Sequence, residues 1–185
     1  MTLRADARRN RARILEVAER VLVERGTTVS TEEIARSAGV GIGTLFRHFP
    51  TKEELIQGVF VERLHRLADD ATRLAAGPDP GEALSEFLRQ AVAQGEVKNA
   101  LAAMLTSAGV DLHEAAGEAQ QEVRRALGTL LRSAQRSGAV RRDLEVADLI
   151  GLLAGTSKAI EYAGQDAAAR ERIVGVILDG LRAPS

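Results

Sequence analysis

Apolar residues recur along this chain at intervals of three and four, and no stretch alternates singly for long enough to make a strand. Ile14, Ala18, Val21 and Leu22 give one apolar face to a helix predicted over about Arg8 to Glu24, which Gly26 ends. Ser30-Thr31-Glu32-Glu33 has the form of a capping box. It opens a second helix that turns Ile34 and Ala35 inward and stops at Gly39. A short third helix is predicted over about Ile42 to Phe49, closed by Pro50. Thr51-Lys52-Glu53-Glu54 repeats the capping pattern and starts a long fourth helix, to about Ala75, with Leu55, Val59, Leu64, Leu67, Ala71 and Leu74 on its inner face. Gly77-Pro78-Asp79-Pro80-Gly81 is the clearest break.

The later pattern is helical as well. Leu84, Phe87, Leu88 and Ala91 mark a fifth helix. From Asn99 to Val110 there is no charge, which predicts a helix buried on most sides. Ala119, Val123, Ala126, Leu127, Leu130, Leu131 and Ala134 stripe an amphipathic helix from about Glu114 to Ser137, ended by Gly138. Asp143 is the expected cap of an eighth helix, to about Ala163, and a ninth runs from about Asp166 to Leu181. The sum is an all-α fold of about nine helices. A small N-terminal domain (8–67) with three helices, its helix-turn-helix at about 30–49, is joined by the long fourth helix to a C-terminal bundle (68–185).

Composition narrows the chemistry. Apolar residues make up 45% and aromatics only 3%, so the core is aliphatic. Without Cys there are no disulfides, thiolate metal sites or thiol nucleophiles. His48, His65 and His113 are too scattered to suggest a metal site. No run is apolar enough to span a bilayer, the arginine-rich start lacks the form of a secretory signal, and the chain reads as soluble and cytoplasmic. Net charge is −1, but the first fifty residues carry nine Arg against six acids, and the remainder sixteen basic groups against twenty acids. Arg4, Arg8, Arg9, Arg11 and Arg13 face only Asp6. Such an N-terminal arm can find phosphates, although a solvated terminus explains it equally well.

Residues 30 to 52 carry the chemistry. Two short helices about Gly39 form a helix-turn-helix whose second member can enter a major groove. Ala35, Val40, Leu45 and Phe49 lock the pair, and Gly41-Ile42-Gly43-Thr44 lets the backbone approach the bases. Thr31, Thr44, His48 and Lys52 supply hydrogen-bond donors for phosphates. The segment STEEIARSAGVGIGTLFRHFPTKEEL, Ser30 to Leu55, together with ILEVAERVLVERG before it, resembles the DNA-binding signature of the TetR family of bacterial transcriptional regulators. The resemblance is specific over about residues 8–67. It implies that Thr31, His48 and Lys52 contact phosphates, that Gly41, Ile42, Gly43 and Thr44 meet base edges, and that Phe46 stands at the groove wall without the tyrosine hydroxyl often found there. Arg47 and Glu32 are the remaining polar candidates. No side chain at the tip makes a bidentate base contact, so DNA shape, read partly by Arg8, Arg9 and their neighbours in a minor groove, is expected to contribute.

The resemblance further implies a homodimer on a palindromic double-stranded operator, with the last two helices of each subunit at the interface. Ile150, Gly151, Ala154, Gly155, Ile173, Ile177 and Leu181 are the candidates, and burial inside the chain's own bundle is the alternative. The family holds a small-molecule effector in the body. Candidate lining residues are His65, Phe87, Leu88, Asn99, Leu101, Met104, Leu105, Leu127, Leu152 and Thr156, with Thr106, His113 and Tyr162 as further polar contacts; most of the apolar ones read equally as core. The leading expectation is a repressor released by an inducer. An activator, or an interaction protein acting through its body, is the alternative. An enzyme is not expected, since no nucleophile–base pair, phosphate loop, metal spacing or cofactor motif is present; Asp111, His113 and Glu114 read as a loop between helices.

Overall fold

The structure, a computed structural model, describes residues 3–26, 28–164 and 166–183. These form α1 (Leu3–Arg25), α2 (Thr31–Ser37), α3 (Ile42–His48), α4 (Lys52–Ala75), α5 (Pro80–Ala93), α6 (Gly95–Ser107), α7 (Leu112–Arg136), α8 (Val146–Ala163) and α9 (Ala167–Leu181). The fold is all-α; the one β-like feature among the described residues is an isolated bridge between Val140 and Arg182.

Three features differ from expectation. α1 begins at Leu3 rather than near Arg8, because Leu, Arg and Ala favour helix and Asp6 complements the dipole of the first turn. The basic residues up to Arg13 therefore belong to a helix and not to a free arm; the side chain of Arg4 lies outside the described part of the structure. α6 buries one stripe, Leu101 and Leu105, instead of most of its circumference. Ala100, Ala103, Thr106 and Ser107 are exposed, and Asn99 and Met104 are half-buried. Asp143 does not cap α8. It accepts two bonds from the Arg141 guanidinium, at 2.7 and 2.6 Å, which hold its carboxyl below the usual range. Glu145 takes the cap position, its backbone N–H donating to Asp148 Oδ2 at 2.8 Å.

The chain groups into two compact units. The first holds the residues up to Arg63 together with Val97–Gly117; the second holds Leu64–Glu96 and everything from Glu118. The division on α4 falls between Arg63 and Leu64, and 97–117 groups with the first unit. Gln57 Nε2 donates to the Ala115 carbonyl oxygen at 3.0 Å, and Lys98 faces Arg63, which itself pairs with Glu19. The first core includes Ile14, Ala18, Ile34, Leu45, Leu55, Val59, Leu101 and Leu105. The second packs Ala71, Leu84, Phe87, Leu127, Leu130, Ala134 and Leu149, with Leu67, Leu74 and Val146 at its margin.

Candidate nucleic-acid interface

Local chemistry fixes the geometry of α2 and α3. Ser30 Oγ accepts from the Glu33 backbone N–H at 3.2 Å, and Glu33 Oε2 accepts from the Ser30 N–H at 3.2 Å, so two open donors at the start of α2 are satisfied reciprocally. At the other end Gly39 takes a left-handed φ of +64°. The Val40 N–H donates to Ala35 O at 3.0 Å and the Gly39 N–H to Arg36 O at 3.1 Å, the paired bonds of a glycine C-terminal motif. That turn sets the direction of α3, which Gly41 begins by accepting from the Thr44 and Leu45 N–H groups at 2.8 and 3.1 Å.

One face of α3 is locked down. Leu45 is fully buried and Phe49 nearly so, beside the buried Ile34 and Ala35 of α2. Gly58 of α4 lets this layer close: a Cβ there would come within 2.9 Å of Leu15 Cδ2 and 3.0 Å of Phe49 Cε1. The Arg11 guanidinium lies 5.1 Å from the centre of the Phe49 ring, a cation–π contact between α1 and the end of α3. Neither Gly58 nor this contact was visible in the sequence, because both depend on which helices meet.

The other face of α3 is open. Gly41, Ile42, Gly43, Phe46 and Arg47 are exposed, and Thr44 and His48 are half-buried. The helix-turn-helix thus brings together the expected tip. Lys52 is half-buried at the first position of α4. Two candidates have neighbours that the sequence does not show. Thr31 is buried and its hydroxyl donates to Glu32 Oε2 at 3.4 Å. The exposed Glu32 carboxyl is held below its usual range by its own backbone N–H and by the Ser30 hydroxyl, and stays an anion at the start of α2. It can only accept hydrogen bonds there. Arg8 and Arg9 are exposed on α1, and Arg9 pairs with Asp6.

The expected effector lining is divided between the two units. Phe87 and Leu127 are fully buried core, and Leu101 and Leu105 are buried in the first unit, to which Asn99 and Met104 also belong. His65 Nδ1 lies 2.7 Å from Glu122 Oε2. Thr156 is buried and donates to the Leu152 carbonyl oxygen at 2.6 Å. Thr106 donates to Ala102 O at 2.9 Å, and Tyr162 is exposed. Asp111 Oδ1 caps α7, accepting from the His113 N–H at 2.7 Å. No group of three or more His, Asp or Glu among the described residues could hold a metal ion. Leu88 borders a pocket of about 430 Å³ beside Gly81 and Val140, and with Leu152 and Thr156 it also lines a narrow apolar gap. Beside it, within the second unit, a groove of about 480 Å³ has Val92, Ile160, Val174 and Leu178 on its walls and Arg89, Glu96 and Arg170 at its rim. Arg170 pairs with Glu96 at 2.7 Å. Sequence periodicity alone cannot show that α5, α8 and α9 leave this space.

On α8 and α9, Gly151, Ala154 and Gly155 are exposed, and Ile150, Ile173 and Ile177 are half-buried. Leu181 is not available to a partner: it is 4% exposed, in the chain's own core, because its carbonyl accepts from the Arg141 N–H and pins the end of α9. Val176 (74% exposed), Leu152 and Tyr162 extend the apolar surface beyond the expected residues. No helix of the described residues is long and apolar enough to cross a membrane.

Comparison with known proteins agrees with this architecture. Residues 14–59 match the family described as bacterial regulatory proteins, tetR family, and residues 79–183 match the C-terminal domain of SbtR-like transcriptional regulators. The crystal structure of a TetR transcription regulatory protein from Mycobacterium vanbaalenii is similar at 44% identity, over 98% of this chain and 100% of that one, with a TM-score of 0.80. A TetR transcriptional regulator from Streptomyces coelicolor is 35% identical over 95% and 99% of the two chains, with a TM-score of 0.74. An HTH-type transcriptional regulator of Staphylococcus aureus (strain USA300) is 38% identical over 76 residues; the match spans 37% of this chain and 41% of the length of that curated relative. The described proteins are transcriptional regulators. Both halves are matched and a solved relative aligns along its whole length, so the chain belongs to the TetR family of bacterial transcriptional regulators, with α2 and α3 as its helix-turn-helix DNA-binding element.

Proposed function

We propose that this chain is a homodimeric repressor that leaves a palindromic operator when a small molecule enters its body. The observation that carries the dimer is the open face of α8 and α9. Val176 is 74% exposed, and a side chain at Gly151 or Gly155 would meet nothing within 4 Å. Two glycines four residues apart beside exposed apolar groups suit the close approach of a second helix, and one subunit reads only a half-site. The effector reading is supported by the groove between α5, α8 and α9, whose volume is that of a small-molecule site and whose walls are mostly apolar. α4 is shared by both units and offers the route by which a ligand would favour one spacing of the two DNA-reading heads.

Light scattering on the full chain at micromolar concentration tests the first part. A dimer is expected, and Val176→Glu should yield monomers that lose the palindromic duplex. A wild-type monomer that binds the duplex at full affinity overturns the proposal. A reporter placed behind the operator then separates repression from activation. Operator affinity that no bound small molecule alters would remove the effector part.

A further inference from the structure

The exposed face of α3 is apolar where a hydrogen-bonding reader would be polar. Ile42 and Phe46 stand one helical turn apart and are 38% and 40% exposed. Gly43 lies between them, and Gly41 precedes them. A methyl group added at either glycine would meet nothing within 4 Å, and neither residue has a left-handed φ. Gly41 stands at the N-cap of α3, where glycine is favourable, but neither backbone conformation nor internal packing explains Gly43, which weakens its helix relative to alanine. A surface approaching the α3 backbone more closely than a side chain permits would account for Gly43. The helix, IGTLFRH, contains no Asn or Gln to read a base edge bidentately; Arg47 is its one exposed guanidinium. The major groove itself offers one apolar group, the C5-methyl of thymine.

We infer that Ile42 and Phe46 recognise thymine methyl groups in each half-site, with Gly43 letting the helix settle until they touch. This rests on α3 being the groove helix. Side chains one turn apart, about 5–6 Å, reach methyls one or two base steps apart, at about 3.4 Å per step. The inward-facing Leu45 cannot take part, and the half-buried Thr44 adds at most its own methyl.

The test begins with duplexes selected by the full-length protein from a random pool. Each thymine of the half-sites is then replaced by deoxyuridine, which removes the methyl and keeps the pairing edge. Two positions should each weaken binding by about four-fold per half-site, the worth of one buried methyl group. Phe46→Ala and Ile42→Ala should each bind more weakly and lose the thymine–uracil difference at one of those positions. Gly43→Ala should weaken binding more than ten-fold while its thermal midpoint holds or rises. Equal affinity for thymine and uracil duplexes overturns the inference and leaves DNA binding intact. Equal loss on both duplexes by Phe46→Ala assigns the ring to the backbone wall and overturns its part. If selection returns no duplex, the groove-helix reading itself fails.

Discussion

α2 and α3 have seven residues each, and almost every feature of their placement is a short-range bond: a reciprocal cap at Ser30, a left-handed turn at Gly39, a glycine start at Gly41. α8 and α9 have eighteen and fifteen residues and are placed by broad apolar faces that remain half covered, with a groove beside them and Val176 in the open. The contrast fits the roles proposed for each pair. A helix that meets DNA has to hold one orientation against a rigid groove, and local bonds within a few residues set orientation tightly. Helices that meet a partner or surround a ligand need surface left to bury, so their packing within one chain is incomplete.

The comparison can be broken at either end. The largest effect is expected from Phe87→Ala, which empties the centre of the second core and should cost about 3–5 kcal/mol in thermal or denaturant unfolding. Gly39→Val forces a branched side chain into left-handed backbone and should cost about 1–2 kcal/mol. It should also lower operator affinity beyond that loss, because the turn aims α3. An affinity loss no larger than the lost stability would show that the turn does not set the aim. Ser30→Ala removes one side of the cap and should cost about 1 kcal/mol, read as a shift in denaturation midpoint. Lys52→Ala should weaken all duplexes alike and reduce the slope of log affinity against log salt by about one.

The smallest effect has the opposite sign. Burial, and then the charge of Arg63, push the Lys98 ammonium below its ordinary range. The unfolded chain therefore holds that proton more tightly than the folded one, and stability rises with pH between the folded and unfolded values of this group. Below the folded value the penalty is present in full. Lys98→Met should raise the melting temperature slightly at neutral pH and abolish its share of the alkaline rise.

Capping residues, helix-ending glycines and the spacing of Ile34, Leu45 and Phe49 are read within a few positions of themselves, so the helix-turn-helix and the order of the helices were legible from the chain alone. The same local reading failed where its signals were ambiguous. Asp143 looks like a cap, but Arg141 two residues away competes for its carboxylate. The uncharged stretch at Asn99 resembles a buried helix, but only Leu101 and Leu105 turn inward while its alanines, threonine and serine stay largely in solvent. Leu181 looks like one more apolar residue on an exposed face, but the bridge at Val140 folds it inward. Periodicity gives each helix an apolar side and never names the helix it meets. Which sides close, which leave a groove, and why residues 97–117 join the N-terminal unit depend on contacts between distant segments, so only the tertiary structure decided them.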